Sequence, residues 1–359
     1  MKNTYRLFAL FIAICFVISA SAQVDRTKAP AAGPAPKIQI GDYDSFTLKN
    51  GLKVLVVENH KLPKVEFALS LLIDPIVEGD KVGYTSFAGD LMDRGTISRT
   101  ANQIAEEIDF IGAELGASSG GVQAGGLSRY KEQILELMAD VTLNPIFPQD
   151  EFDKIVKQTL SGIQADKTSP KSIAKNVRRK VLYGDAHPYG DVMTEGTLAN
   201  VTLEDCKSYY ANYFKPNVAV LAIVGDITTK EAKKLVKKYF GKWESGTVAK
   251  HTYDMPAKIE GKRVVLANKD AAPQSTVQVV YPINLKKGTA DVIPVSVMDA
   301  MLGRGFAGLL MKNLREDKAY TYGAYSSISA DQLVGDFYAG AEVKANVTDS
   351  AFIGNGFGN

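Results

Sequence analysis

The patterned part of the chain begins with two β-rich runs, 46 to 51 and 52 to 57, around Asn50-Gly51, a pair that favours a hairpin because glycine takes positive φ without a steric cost. Another strand is expected over 65 to 73. The apolar period then becomes helical over 84 to 94, and a second helix starts at Thr100. Thr100 with Gln103 makes a capping box, and Ile104, Ile108 and Ile111 follow on one face. Strands over 114 to 127 lead into helices near 130 to 142, 150 to 166 and 171 to 183. Another helix follows Thr202, capped with Asp205. The half closes with a strand over 218 to 224 and a helix opened by Thr228 and Glu231 that ends near Phe240. Strands first, helices in the middle and one returning strand predict an α+β domain with helices packed on one sheet face.

The opening recurs at an offset of 210 residues, without a gap. Gly51-Leu52-Lys53-Val54 matches Gly261-Lys262-Arg263-Val264, and Pro63 matches Pro273. Ser86 matches Ser296, Leu91 Met301, Arg94 Arg304 and Gly95 Gly305. The second half therefore predicts strands over 263 to 268 and 275 to 281, helices near 291 to 302 and 306 to 316, and strands over 320 to 329 and 335 to 343. By the same offset its remaining helices and returning strand fall roughly 100 residues beyond position 359. The second copy is either unusually short or truncated, and we read it as truncated.

Composition adds bounds. The chain has 359 residues, 42 Lys plus Arg against 40 Asp plus Glu, and 45% apolar residues, ordinary globular proportions that exclude a disordered, collagenous or disulfide-stapled protein. Residues 1 to 22 read as a signal peptide: Lys2 and Arg6, an apolar run over 7 to 18, then Ala20-Ser21-Ala22. That run is shorter than the roughly 20 apolar residues needed to span a bilayer. Cys15 follows Ile14 directly and lacks the small-residue context of a lipid-modified cysteine, which leaves Cys206 as a lone buried thiol. Without residues 1 to 22 the basic and acidic residues stand at 40 each, so charge offers no case for nucleic acid or an anionic membrane. The resulting layout is signal peptide 1 to 22, linker 23 to 37, first domain 38 to 245, interdomain linker 246 to 260 and second domain 261 to 359.

Several runs in order carry a resemblance. They are Leu48-Lys49-Asn50-Gly51-Leu52-Lys53-Val54; Gly95-Thr96 after a helix; His187-Pro188-Tyr189-Gly190; Tyr213-Phe214-Lys215-Pro216-Asn217; Val224-Gly225-Asp226; and Leu314-Arg315-Glu316-Asp317-Lys318 ahead of Tyr322-Gly323. Together they resemble the M16 metallopeptidases, the family of pitrilysin, insulin-degrading enzyme and the mitochondrial processing peptidases. The resemblance implies tandem duplicated α+β domains, each a mostly antiparallel sheet with helices on one face. It also implies a zinc ion on a helix bearing His-x-x-Glu-His, where two histidines bind the metal and the glutamate takes a proton from zinc-bound water.

Here the motif falls on Ser86-Phe87-Ala88-Gly89-Asp90: Ser86 and Asp90 stand for the histidines and Gly89 for the base. The third ligand falls near Ser161-Gly162, again without a carboxylate. His60, His187 and His251 stand at no ligand spacing from one another, and each is expected to be solvated or structural. No metal is therefore expected on this chain. The resemblance further implies that Arg315 and Tyr322, seven residues apart, reach a peptide bound at the zinc, and that Gly303 and Gly305 belong to a substrate loop. A guanidinium and a phenol suit a peptide carbonyl and the oxyanion that develops on it. Structural roles compete: Arg315 at a helix end, Tyr322 as a strand aromatic, and the glycines turning the chain between two helices.

An absent zinc site beside a retained Arg/Tyr pair resembles the non-catalytic subunit of two-chain M16 peptidases. The expectation is an exported, periplasmic or secreted partner of a zinc-bearing subunit with His-x-x-Glu-His, acting on extended peptide, with zinc held by that partner. The alternatives are a non-enzymatic peptide-binding or scaffold protein of this fold and an independent zinc peptidase.

Overall fold

A computed structural model describes residues 33–34, 41–257 and 260–353. The stretch expected to be a signal peptide, most of the expected first linker and the glycine-rich segment 354–359 lie outside the described residues. The described residues from Tyr43 onward form one compact unit.

The Asn-Gly pair does turn a hairpin, between β1 (Asp44–Thr47) and β2 (Lys53–Glu58). Leu48 and Leu52 close a three-residue loop in which Gly51 takes φ +93°, a conformation that L side chains resist. Asn50 fastens the loop, donating from Nδ2 to the carbonyls of Phe240 and Trp243. β3 (Lys64–Leu71) alternates: Val65, Phe67, Leu69 and Leu71 enter the core while Glu66 and Ser70 face out. β4 (Glu114–Ser118), β5 (Gly121–Leu127) and β6 (Ala219–Gly225) complete a sheet of order β1-β2-β6-β3-β5-β4. Its one parallel pair is β2 with β6, joined by the long helical excursion that parallel neighbours require.

That excursion contains α1 (Tyr84–Leu91), α2 (Ala101–Ile111), α3 (Lys131–Leu143), α4 (Gln149–Asp166), α5 (Pro170–Tyr183), α6 (Glu195–Ala199) and α7 (Leu203–Tyr213); α8 (Thr229–Phe240) follows β6. The expected caps are present: Thr100 and Gln103 form a reciprocal box at α2, Thr202 and Asp205 at α7, and Thr228 accepts from the Glu231 amide at α8. On the expected face of α2, Ile104 and Ile111 are buried.

The second sheet has β7 (Gln274–Ile283), β8 (Thr321–Ile328) and β9 (Gly335–Lys344) in the order β7-β9-β8, which repeats β3-β5-β4. Between its strands lie α9 (Val292–Leu302), α10 (Leu309–Met311) and a π-helical turn, Lys312–Asp317; α11 (Thr348–Ile353) follows β9. The duplication inferred from sequence is thus a duplication of topology.

Two expectations need correction. Residues 263 to 268 form no strand, and Val264, Val265 and Leu266 are exposed. The counterpart, β2, is a strand because β1 and β6 satisfy its backbone on both sides; among the described residues no such neighbours flank 263 to 268. The helix expected over 306 to 316 is broken as well. Gly308 packs against Gly303 in a tight turn, helix begins only at Leu309, and it widens at once into the π turn. One placement has no precedent in the sequence pattern: α5 leaves its own sheet and packs on β7. Lys171 pairs with Glu342 at 2.9 Å, and the Arg178 guanidinium lies 4.8 Å from the centre of the Tyr338 ring.

Candidate functional site

The motif helix α1 is held at both ends. At its start Gly83 takes φ +118°, and the Glu78 carboxylate accepts from the Gly83 amide and the Thr85 hydroxyl. Burial pushes the Glu78 carboxyl above its ordinary range. Aromatic edges clamp the helix from the side, Phe87 against Phe152 of α4 and Tyr84 against Tyr209 of α7. Beyond its end, Gly95-Thr96 is tied to the buried Asp140. One carboxylate oxygen accepts from Thr96 and Ser98 at 2.7 Å and from Arg99 at 2.8 Å, and the other accepts from Asn144 at 2.9 Å.

The three degenerate positions share this helix. Ser86 and Asp90 are exposed, and the Ser86 hydroxyl is turned back to the Gly83 carbonyl at 2.9 Å. Gly89 is buried against the turn that follows β4: a Cβ there would stand 2.2 Å from the Ser119 nitrogen and 2.3 Å from the Ser118 carbonyl carbon. The Tyr209 hydroxyl, donating to the Ser119 carbonyl at 2.8 Å, holds that turn in place. Helix and turn meet backbone to backbone, so position 89 has room for glycine alone.

These residues do not fit a zinc ion. A neutral hydroxyl with its proton already committed and a single carboxylate are not the nitrogen and carboxylate set such a site uses. The helix expected to bring the third ligand does pack beside α1, but its Ser161 donates to the Lys157 carbonyl and Gly162 has no side chain. Each histidine is engaged elsewhere. His60 Nδ1 meets Asp226 at 2.7 Å, His187 Nδ1 accepts from the Tyr189 amide, and His251 Nε2 meets the Tyr213 hydroxyl at 2.9 Å. Among the described residues no three His, Cys, Asp or Glu side chains gather around one point.

Beside α1, β4 is an edge strand that pairs with β5 alone. A groove of ≈ 590 Å³ runs along it, lined by Glu66, Glu114, Gly116, Ser118, Gln123 and Gly125. Glu66 and Glu114 both pair with Gly125, so they share one row of the sheet.

In the second sheet, Gly303 is a close-approach glycine: a Cβ would lie 2.6 Å from the Ser326 nitrogen, whose amide donates to the Gly303 carbonyl. Gly305 has open space around it, so nothing steric requires glycine there. Arg315 is exposed on the π turn, its guanidinium 5.3 Å from the Phe306 ring centre. Tyr322 is 87% exposed on β8, where the register shifts between Thr321 and Ala324. A π turn, Ala319 at φ +51° and a bulge thus follow one another between Arg315 and Ala324, and such irregularities concentrate at functional sites. Among the described residues no hydrogen bond, ion pair or ring contact joins Arg315 or Tyr322 to Ser86, Gly89 or Asp90. The sequence reading missed Phe306 as the support of Arg315; its signal was an aromatic directly after Gly303-Arg304-Gly305.

The sequence profile described as Peptidase M16 inactive domain matches residues 200–352. A zinc protease of Bacillus subtilis, YmxG, whose name marks it as uncharacterized, is 24% identical over 287 residues, 78% of this chain and 69% of its own. The structure of a peptidase M16 inactive domain from Pseudomonas fluorescens superposes with a TM-score of 0.77 at 25% identity, over 86% of this chain and 76% of that one. Over residues 200–352 the chain matches the M16 inactive domain, and over most of its length it is similar to M16 peptidases. The periplasmic protease PqqL of Escherichia coli shares the fold, with a TM-score of 0.65 at 18% identity over 89% of this chain and 37% of PqqL. The matched part of the chain is of the inactive-domain type.

Proposed function

We propose that this chain is the substrate-binding subunit of an exported two-chain M16 peptidase, and that its zinc-bearing partner supplies the metal and the base. The observation that carries the reading is the contrast between Gly89, where backbone fills the place of the base, and Arg315, which is exposed and supported by Phe306. Arg315 and Tyr322 offer donors to a peptide carbonyl in the partner's site, where charge develops during hydrolysis. The open edge of β4 and its groove suit an extended peptide, whose backbone can add to a strand edge. Export is supported by the charged, apolar and small-residue order of positions 1 to 22, and by the periplasmic setting of PqqL.

The test is hydrolysis of an unstructured fluorogenic peptide with zinc present, by this chain, by a zinc-bearing M16 subunit from the same organism, and by their mixture. Activity is expected in the mixture alone, with Arg315→Ala lowering kcat by about a hundredfold, the scale of losing one oxyanion donor. Chelator-sensitive hydrolysis by this chain alone would overturn the reading. A mixture no more active than the zinc subunit would point instead to a non-enzymatic scaffold.

A further inference from the structure

His187 is 4% exposed and sits in a box of tyrosine rings. Tyr183 of α5 stacks on it at 5.4 Å, Tyr189 meets it edge-on at 4.9 Å, and Tyr253, from the segment leaving the first repeat, closes the third side at 5.6 Å. Its Nδ1 accepts the Tyr189 amide at 3.1 Å, so the neutral ring carries its proton on Nε2. Tyr189 reaches into the second repeat: its hydroxyl donates to Asp331 Oδ1 at 2.6 Å. The same oxygen accepts the amides of Leu333 at 2.8 Å and Val334 at 3.3 Å, which shapes the loop between β8 and β9. Arg179 of α5 steadies the other end of Tyr189 by donating to its carbonyl at 2.9 Å.

We propose that His187, Tyr189 and Asp331 form a proton-sensitive latch between the two repeats: neutral His187 orients Tyr189 for Asp331, and a proton on Nδ1 removes the acceptor and releases both bonds. The charged and titratable groups facing the ring are Tyr183 and Arg179 from α5, Tyr189 and Asp191 from its own loop, Tyr253 from the connecting segment and Asp331 from the second repeat. Burial pushes the imidazole below the usual histidine range, and the fields of Asp331 and Asp191 oppose that without reversing it. Burial of the Asp331 carboxyl works toward protonation, but bonds from Tyr189 and the Leu333 and Val334 amides outweigh it and hold the group below the carboxylate range. Asp331 is thus held toward its ionised form, the form that accepts from Tyr189.

Hydrogen exchange of the full chain, expressed as protection factors, reads the latch at the Leu333 and Val334 amides. Between pH 7.5 and pH 5 their protection should fall about tenfold, the equivalent of one pH unit of linkage, while the β3 amides stay protected. His187→Asn keeps an acceptor that does not titrate and should hold the protection at both pH values. Tyr189→Phe should lose it at both. Protection in the parent chain that does not change with pH, or an acid loss that survives in either variant, would overturn the proposal.

Discussion

The two repeats place the same helix in opposite surroundings. In α1, Phe87, Ala88 and Leu91 are 3%, 0% and 0% exposed beneath α4 and α7. Their counterparts in α9 at the offset of 210, Val297, Met298 and Met301, are 56%, 51% and 66% exposed. The apolar stripe is alike in both, so an amphipathic pattern marks which face can be buried, and neighbouring elements decide whether it is. The loops that follow differ in kind as well. Thr96 is pinned to Asp140, whereas Phe306 in the same place is exposed beneath Arg315. At one matched position the first repeat has Gly89 against backbone, and the second has Asp299, which is buried and accepts from the Ser326 hydroxyl at 2.7 Å. Among the described residues the first repeat thus has its motif helix covered by α4 and α7, and the second leaves Arg315 and Tyr322 exposed.

Paired truncations probe this contrast most strongly. Leu91→Ala should lower stability by about 2–5 kcal/mol, the range for deleting a buried leucine, whereas Met301→Ala should stay within about 0.5 kcal/mol, as surface changes do. Equal losses in chemical denaturation would mean that the α9 face is covered in solution. Gly89→Ala comes next: forcing a Cβ onto the Ser118-Ser119 backbone should cost about 1–3 kcal/mol, the scale of overpacking. A neutral result would show that the turn can withdraw, and that position 89 is not closed to a side chain.

The smallest effect concerns Asp140. Burial acts to raise its carboxyl, but bonds from Ser98, Asn144, Thr96 and Arg99 outweigh burial and hold it below the ordinary range. A carboxyl depressed in the folded state contributes stability above its unfolded pKa of about 3.9 and loses it as pH falls through the folded value. Asp140→Asn should therefore cost on the order of 1 kcal/mol near neutrality and flatten the acid limb of a stability profile. An acid limb unchanged from the parent would place the titration elsewhere.

Local signals were the most legible part of the sequence. The Asn50-Gly51 hairpin, the caps at Thr100, Thr202 and Thr228, and the repeat of β3-β5-β4 as β7-β9-β8 all follow from side chains acting within a few residues or from a period in the chain. Residues 263 to 268 were misread because strand composition states a preference, while a strand exists only where neighbours take its hydrogen bonds. At the site, counting from Gly95-Thr96 puts the expected motif on Ser86-Phe87-Ala88-Gly89-Asp90, an expectation that rests on residue order alone. The closeness of the Ser118-Ser119 turn to Gly89 and the support of Arg315 by Phe306 were not, since both depend on contacts between separate elements.

By itself the sequence determined the M16 relationship, the duplication and the absence of His-x-x-Glu-His, because these reside in residue identity and order. Only the tertiary structure decided that Gly89 admits no side chain, that α5 crosses to the second sheet, and that His187 is joined through Tyr189 to Asp331. Those facts rest on distances between residues far apart in the chain, such as Lys171 and Glu342 or Tyr189 and Asp331, which the packing of the folded chain sets and no local pattern encodes.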